Sequence, residues 1–412
     1  MTPVRRPSHH PSHVLIALLL AAGCASHGSS KVAPATTAAA APARRVDHVA
    51  AGNDLMSRNL LDDAEREYRL ALEADPNDRG ALAGLGQVNV LRGQYKDALP
   101  SLERATQISS QMVGAFRSLG DAYAAMGDNQ RASTAYRQAV ALAPQELRTR
   151  GALAQSLVAI GETGEAREIC AATVRMTKGN PADQARAYQQ FGEVCAAETK
   201  IPESMSALYR ASELLPGDPE IARSLAETAA RGGLYAEAAT AYSRVLTLAP
   251  LDVDAKKQLA WVNFKLERFP TAIKHYEAVG DSLGTVDRYY LAQAYAKSNR
   301  ADRAVELFRD VVRIDPENYK GVYCNMAYAY YEANRYQRAI EAAREGLSKD
   351  SSSACLHFCW AQALDKLGRH EEAIPVFETV LNDPAYAESA KRELERQKRI
   401  VRLLKSKEKS GD

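Results

Sequence analysis

Residues 113–146 read VGAFRSLGDAYAAMGDNQRASTAYRQAVALAPQE, and this stretch decides the fold. Its large and small apolar side chains recur with spacings of three, four and seven residues, which places them on one face of each of two helices. Gly120 and Ala132 are small enough to let the two helices approach closely. Pro144 cannot continue a helix and therefore closes the unit. The stretch predicts a helical hairpin.

The same pattern returns along most of the chain. An alanine is followed after four residues by a large side chain, after three more by a small or β-branched one, and after five more by proline. These positions are held by Ala64, Tyr68, Ala71 and Pro76, by Ala132, Tyr136, Ala139 and Pro144, by Ala238, Tyr242, Val245 and Pro250, and by Ala304, Phe308, Val311 and Pro316. The return of the same pattern at a regular interval along the chain predicts an all-α solenoid of stacked hairpins. A solenoid has no single pocketed core, which favours binding over catalysis.

The pattern resembles the tetratricopeptide repeat, a helix-turn-helix unit. In residues 113–146 the resemblance is carried by Phe116, Leu119, Gly120 and Tyr123 in the first helix, and by Ala132, Tyr136, Ala139 and Pro144 in the second. It implies a right-handed superhelical solenoid. We place about ten repeats in residues 45–386, with starts near residues 45, 79, 113, 147, 185, 219, 253, 285, 320 and 354. The long fourth step has its surplus at residues 177–183, which we predict to be a loop.

Residues 387–412 are predicted to form a capping helix and a basic tail. An apolar stripe is formed by Leu394, Ile400, Val401, Leu403 and Leu404, and the other faces are charged. The basic surplus consists of Lys391, Arg392, Arg396, Lys398, Arg399, Arg402 and Lys405. It has two interpretations: a solvated face with positive charge near a helix C-terminus, or contact with anionic lipid or an acidic partner.

Residues 1–23 have the features of a signal peptide. Arg5 and Arg6 precede the apolar run VLIALLLAA at residues 14–22. This run is too short to span a bilayer as a helix but fits the apolar region of an export signal. The run ends in Ala-Ala-Gly before Cys24, which resembles the bacterial lipobox and implies that Cys24 is acylated. The alternative is a conventional signal peptide with an incidental cysteine.

Residues 24–44 are predicted to be a disordered tether behind the acylated cysteine, because they are rich in Ala, Ser, Thr and Pro and have almost no apolar bulk. The residue after Cys24 is Ala25. By the lipoprotein resemblance, Ala25 implies forwarding to the outer membrane, with the chain facing the periplasm. A soluble periplasmic protein is the alternative.

Neither charge nor motifs point to chemistry. Lys plus Arg number 53 and Asp plus Glu 51, so no global field attracts nucleic acid. The sequence has no Gly-rich phosphate loop, no Gly-x-Ser-x-Gly and no His-Glu-x-x-His. The repeats, the tether and the cap use up the chain. We therefore expect a protein that is not an enzyme and that holds no cofactor and no metal.

Five cysteines lie in the predicted array, and export would permit disulfides. In the stacked geometry Cys170 and Cys195 are near neighbours, so they either form a bond or are two small buried side chains. Cys324 can pair with Cys355 or Cys359, which lie four residues apart on one helix face. Without a fourth ligand, these three cysteines do not favour a metal site.

The resemblance also implies that first helices line a concave groove. Groove positions in the second and fourth repeats carry small or uncharged side chains: Gly80, Ala83, Gln87, Gly151, Gln155 and Ala159. Repeats seven to nine instead carry aromatic, lysine and glutamine side chains at these positions: Lys257, Trp261, Phe264, Lys265, Tyr289, Gln293, Lys297, Tyr328 and Tyr331. We predict that these nine residues bind a protein or peptide, because exposed aromatics beside lysine give large contact area at low entropic cost. The alternative is that tyrosine fills wide gaps between hairpins.

The carboxylate clamp of cytosolic co-chaperones is not supported, because its Lys and Asn positions hold Arg117 and Asp121, or Lys257 and Trp261. The function expected is a non-catalytic interaction scaffold at the outer membrane that assists an envelope machine, such as a type IV pilus or secretion apparatus. The chain looks like the tetratricopeptide lipoproteins that assist pilus secretin assembly. Alternatives are a scaffold for polysaccharide export or peptidoglycan enzymes, a periplasmic holdase for unfolded clients, and a recruiting subunit for a separate envelope enzyme.

Overall fold

The computed structural model describes residues 47–410, with side chains through Ser406. The predicted signal peptide, Cys24 and the tether lie outside these residues. Within them the chain forms 21 α-helices, one short 3-10 helix at Gly280–Ser282 and no strand. No helix in this part of the chain is both long and apolar enough to cross a membrane.

The helices are α1 His48–Ser57, α2 Leu61–Ala74, α3 Arg79–Leu91, α4 Tyr95–Ile108, α5 Val113–Ala125, α6 Asn129–Leu142, α7 Leu147–Ala159, α8 Thr163–Met176, α9 Pro181–Ala197, α10 Ile201–Leu214, α11 Pro219–Arg231, α12 Tyr235–Leu248, α13 Val253–Lys265, α14 Phe269–Glu277, α15 Thr285–Lys297, α16 Ala301–Ile314, α17 Val322–Glu332, α18 Tyr336–Leu347, α19 Ala354–Lys366, α20 His370–Glu378 and α21 Ala387–Ser410.

Each helix packs against the next, and the odd-numbered helices also contact one another from α1 to α11 and from α13 to α19. The odd-numbered helices are the first helices of the hairpins. They therefore line one side of the solenoid, which we name the first-helix face.

The turn inside each hairpin contains one residue with a left-handed backbone. Glycine, which has no Cβ to clash there, holds half of these positions. The ten residues are Asn59, Gly93, Gly127, Gly161, Thr199, Gly233, Glu267, Asn299, Asn334 and Gly368. Their regular recurrence marks ten hairpins in the described part of the chain.

In the first and third hairpins, close approach of the two helices depends on a glycine that faces a tyrosine. A Cβ added at Gly120 in α5 would lie 2.5 Å from the ring of Tyr136 in α6, and Gly52 stands in the same relation to Tyr68. Tyr68 and Tyr136 are almost fully buried. Each hydroxyl donates a hydrogen bond back to the first helix, Tyr136 Oη to Asp121 at 2.6 Å and Tyr68 Oη to Asn53 at 2.8 Å.

The loop predicted at residues 177–183 is shorter than expected. Helix α9 begins at Pro181, where the Asn180 side chain accepts a hydrogen bond from the Asp183 backbone N–H. Asparagine at the cap and proline in the first turn both favour helix initiation. With 17 residues, α9 is the longest helix of the hairpins. The four surplus residues therefore lengthen a first helix rather than a loop, and the fifth repeat begins at 181 instead of near 185.

Helix α21 packs against α20 at the end of the array. Its buried residues are Ala390, Leu394 and Gln397. The Gln397 side chain is fully buried; its amide donates to Asp365 Oδ1 at 2.7 Å, and its Oε1 lies 2.7 Å from His370 Nδ1. This polar contact joins α21 to both helices of the last hairpin.

Candidate partner-binding groove

The nine predicted groove residues lie on α13, α15 and α17, three successive first helices. The structure corrects one expectation about them. Trp261, Phe264, Tyr289, Tyr328 and Tyr331 are half-buried and pack against the core, so the prediction that these aromatic rings are exposed is wrong. Their size explains the difference, because large rings on adjacent helices reach one another. Lys265 and Lys297 are exposed.

The rings form a connected network over α13 to α16. The Phe264 ring lies 5.2 Å from that of Tyr290, which lies 5.8 Å from Tyr289. Tyr289 in turn contacts Tyr319 at 5.4 Å and Phe308 at 6.0 Å. Offset and edge-on contacts of this kind stabilise a cluster beyond its buried area. The network fixes the side-chain orientations on this part of the face.

Two predicted residues meet at the edge of this network. The Lys265 ammonium lies 5.5 Å from the centre of the Trp261 ring and 5.9 Å from that of Tyr290. Both separations lie within the range of cation–π attraction. Trp261 also packs edge-on against Tyr235 of the preceding hairpin at 5.7 Å. Lys265 is therefore held across two rings while its charge faces solvent.

Polar contacts tie successive first helices together at about one contact per repeat. Lys257 Nζ lies 3.7 Å from Asp287 Oδ2, and Lys297 Nζ lies 3.2 Å from Glu332 Oε1. The Asn325 amide donates to Tyr289 Oη at 3.1 Å, and Tyr328 Oη donates to Gln362 Oε1 at 3.5 Å. These contacts join the first helices from α13 to α19 to one another within the protein itself.

A cavity of about 200 Å³ opens between α15 and α17. It brings together three predicted residues, Gln293, Lys297 and Tyr328. Its remaining walls are Ala296, Phe308, Asn325, Ala329 and Glu332. Burial raises the pKa of Tyr328, so its hydroxyl stays protonated and able to donate. An apolar floor rimmed by an ammonium, a carboxylate and two amides suits one side chain of a peptide, because the volume is below that of most small-molecule sites.

Sequence reasoning missed a second cleft on the same face, between α7 and α9. Two cavities of about 230 and 140 Å³ share Gln190, one reaching Arg148 and Arg186 and the other reaching Val158. The sequence feature that could have indicated this cleft is Gly151, where an added Cβ would overlap the Gln190 side chain. Small residues at groove positions leave room for a cleft between neighbouring first helices. The sequence prediction considered only large aromatic side chains and therefore missed it.

The five cysteines in the described part of the chain divide into one bonded pair and three thiols. Cys324 and Cys355 form a disulfide, with Cα atoms 6.1 Å apart, that joins α17 to α19. Cys170, Cys195 and Cys359 are free and buried, so the structure does not contain the alternative bonds to Cys195 or Cys359. Burial raises the pKa of the Cys170 and Cys359 thiols to about 12, which keeps both protonated and unreactive. Within residues 47–410 no cluster of His, Cys, Asp and Glu could hold a metal ion.

Comparison with protein families identifies the repeat. The family model described as tetratricopeptide repeat matches residues 49–113, 117–181, 183–252, 223–282 and 288–319. A second model, anaphase-promoting complex, cyclosome, subunit 3, matches residues 311–380.

Two curated relatives carry similar segments. The cellulose synthase operon protein C of Pseudomonas fluorescens (strain SBW25) is 33% identical over 131 residues, which is 30% of this chain and 10% of that protein. The cellulose synthase 1 operon protein C of Komagataeibacter xylinus is 32% identical over 111 residues, 26% of this chain and 8% of that protein. The similarity thus spans about a tenth or less of each relative's length.

Among solved structures, a tetratricopeptide repeat protein from Parabacteroides merdae ATCC 43184 aligns with a TM-score of 0.48 and 14% identity, covering 60% of this chain and 97% of that one. PilW, a type IV pilus biogenesis factor, aligns with a TM-score of 0.44 and 17% identity, covering 50% and 93%. With TM-scores below 0.5, these likenesses say nothing of what this chain binds.

Proposed function

This chain belongs to the tetratricopeptide repeat family, and we propose that it is a protein-interaction scaffold whose partner binds the first-helix face from α13 to α17. One observation carries the choice of this region. The cavity between α15 and α17 lies beside an aromatic network and is cross-linked by polar contacts on both sides. A surface that is already ordered loses little entropy on binding.

The cavity indicates what the partner presents. One apolar or aromatic side chain would enter between Gln293 and Tyr328, next to Phe308. The exposed ammonium groups of Lys265 and Lys297 would meet acidic groups on either side of that anchor. Anchors buried at the centre of an interface usually contribute most of the affinity. The partner segment is therefore an apolar residue flanked by Asp or Glu.

We also propose that the scaffold is anchored at the outer membrane through an acylated Cys24 and faces the periplasm, where it assists an envelope machine such as a type IV pilus or a secretion apparatus. The support is in the sequence: Ala-Ala-Gly before Cys24, the apolar run at residues 14–22, and a tether at residues 24–44. Several acyl chains hold a protein far more firmly than one.

The curated relatives favour a second candidate for the machine. Both are products of cellulose synthase operons, and both share more than 30% identity with a segment of this chain. An apparatus that makes or exports polysaccharide is therefore the alternative client of the same scaffold. The two candidates differ in the partner captured, not in the geometry of the groove.

Affinity capture from cells tests the scaffold. We expect one stable partner, retained by a Lys96→Glu control on α4 and lost in Lys297→Glu, because both lysines are exposed and the substitutions change charge equally. The Lys297–Glu332 pair is exposed, so its loss should cost little stability. Many unrelated clients that are equally retained by both variants would indicate a holdase and overturn the scaffold.

Cell fractionation tests the anchor. The wild-type chain should sediment with outer membranes, and Cys24→Ala should prevent acylation and release the chain or hold it at the inner membrane. Metabolic labelling with an alkyne fatty acid should mark the wild type alone. An unlabelled wild-type chain found in the soluble periplasmic fraction would exclude the lipid anchor and leave the groove proposal intact.

A further inference from the structure

The last helix is much longer than the helix that it covers. α21 has 24 residues and α20 has nine, which corresponds to about 36 Å against about 14 Å at 1.5 Å per residue. The exposure of the side chains also changes along α21. Ala390, Leu394 and Gln397 are buried, whereas every side chain from Arg402 to Ser406 is exposed. We name residues 399–406 the overhang.

The overhang has an apolar side that the described part of the chain covers only in part, since Ile400 is half-buried and Leu403 and Leu404 are exposed. Ile400, Leu403 and Leu404 recur with spacings of three and four residues and therefore share one helix face. Leu403 is 58% exposed and Leu404 is 49% exposed. A helix end that served only to solvate the array would carry polar side chains here, since exposed leucine gains nothing from water.

Part of the positive charge of α21 that has no ion-pair partner in the described part of the chain lies on the overhang. Arg396 pairs with Asp365 and Glu393, and Lys398 lies 3.3 Å from Glu378. On the overhang, Lys405 Nζ lies 2.7 Å from Glu371 Oε1. Arg399 and Arg402 have no ion-pair partner among the described residues, and neither do Lys391 and Arg392 earlier in the helix. Residues 407–409 are Lys407, Glu408 and Lys409, which add more positive than negative charge.

We propose that the overhang docks on the surface of a bilayer that contains anionic phospholipid. Leu403 and Leu404 would enter the boundary between headgroups and acyl chains, and Arg399 and Arg402 would bind lipid phosphates. An acidic protein would satisfy the arginines but not require the leucines. A second copy would oppose like charges. The contact is independent of Cys24 and goes beyond the proposed scaffold function, because it brings the C-terminal end of the array to a membrane.

Vesicle co-sedimentation tests the docking. The chain starting at Ala25 retains every described helix and lacks both the apolar run and Cys24. It should bind phosphatidylcholine vesicles that contain phosphatidylglycerol, should not bind phosphatidylcholine alone, and should bind less as salt is raised. Arg399→Glu with Arg402→Glu should lower the partition coefficient by about tenfold or more, since each basic residue near an anionic surface contributes about 1 kcal/mol.

The matched controls are Lys96→Glu with Lys178→Glu, which make the same charge change on exposed lysines of the array. For the leucines, Leu403→Ser with Leu404→Ser should reduce binding, and Leu91→Ser with Leu251→Ser should not; Leu91 and Leu251 are 56% and 87% exposed. Circular dichroism should show unchanged helix content in all variants.

Absence of binding to anionic vesicles would overturn the proposal, as would equal loss in both charge pairs. Binding to polyglutamate but not to vesicles would identify an acidic partner instead, and overhang-dependent dimers in sedimentation equilibrium would identify a second copy.

Discussion

At the scale of single residues, a glycine in the first helix and a tyrosine in the second set the distance between the two helices in the first and third hairpins. The sequence predicts this for Gly120, because a small residue recurs opposite a large one. It does not predict that the Tyr136 hydroxyl donates to Asp121. That bond depends on the rotation of one helix against the other, which the spacing of apolar residues does not specify.

Gly120→Ala should destabilise the protein by about 1–3 kcal/mol, because the added methyl group overlaps the Tyr136 ring in a packed core. Gly114→Ala on the same helix is the control, since a Cβ there meets nothing within 4 Å. It should stabilise by up to about 1 kcal/mol through helix propensity. Urea unfolding followed by circular dichroism checks both. Equal midpoints for the two variants would contradict the close-packing argument.

At the scale of helices, the period of the repeat predicts where most helices begin, but local caps decide the exceptions. The extra turn of α9 arises from Asn180 and Pro181, which initiate a helix within a stretch whose composition is typical of a loop. The pairing of Cys324 with Cys355 rather than Cys359 also could not be predicted from sequence. The two cysteines of α19 share a face, and only the placement of α17 brings one of them within reach.

Two adjacent residues of α21 should differ sharply in their contribution to stability. Gln397 is fully buried and its amide donates to Asp365, so Gln397→Ala should cost about 1–3 kcal/mol by leaving buried partners unsatisfied. Arg396 also contacts Asp365, but its side chain is 52% exposed. Arg396→Ala should therefore cost less than about 1 kcal/mol. Thermal unfolding of both variants measures the difference, and the reverse order would contradict the account of how the cap docks.

The disulfide should stabilise the last two hairpins by about 4 kcal/mol, since it joins cysteines 31 residues apart and so closes a loop in the unfolded chain. Reducing agent should lower the melting temperature of the wild type and leave Cys324→Ser with Cys355→Ser unchanged. A thiol count on the denatured, unreduced chain starting at Ala25 should give three, for Cys170, Cys195 and Cys359. A count of five would show that the bond is absent.

At the scale of the whole molecule, the sequence predicts a solenoid of tetratricopeptide repeats, and the family comparison confirms it. The nine groove residues remain a prediction. Sequence placed them on first helices, but it could not show that Tyr289 and Tyr328 would be half-buried, because burial depends on the size of side chains in the neighbouring hairpins. The cleft between α7 and α9 could not be predicted for the same reason, because it depends on the side chains of the neighbouring helices around Gly151.

Site-specific photocrosslinking in living cells tests the scaffold claim most directly. A photoreactive amino acid replaces Glu332, whose side chain is 48% exposed at the rim of the cavity between α15 and α17. The same amino acid at the exposed Lys96 on α4 serves as the control. We predict one covalent adduct at position 332, formed with the partner recovered by affinity capture, and no such adduct at position 96. The same adducts at both positions, or an adduct at position 96 alone, would contradict the claim that the partner binds the first-helix face of repeats seven to nine.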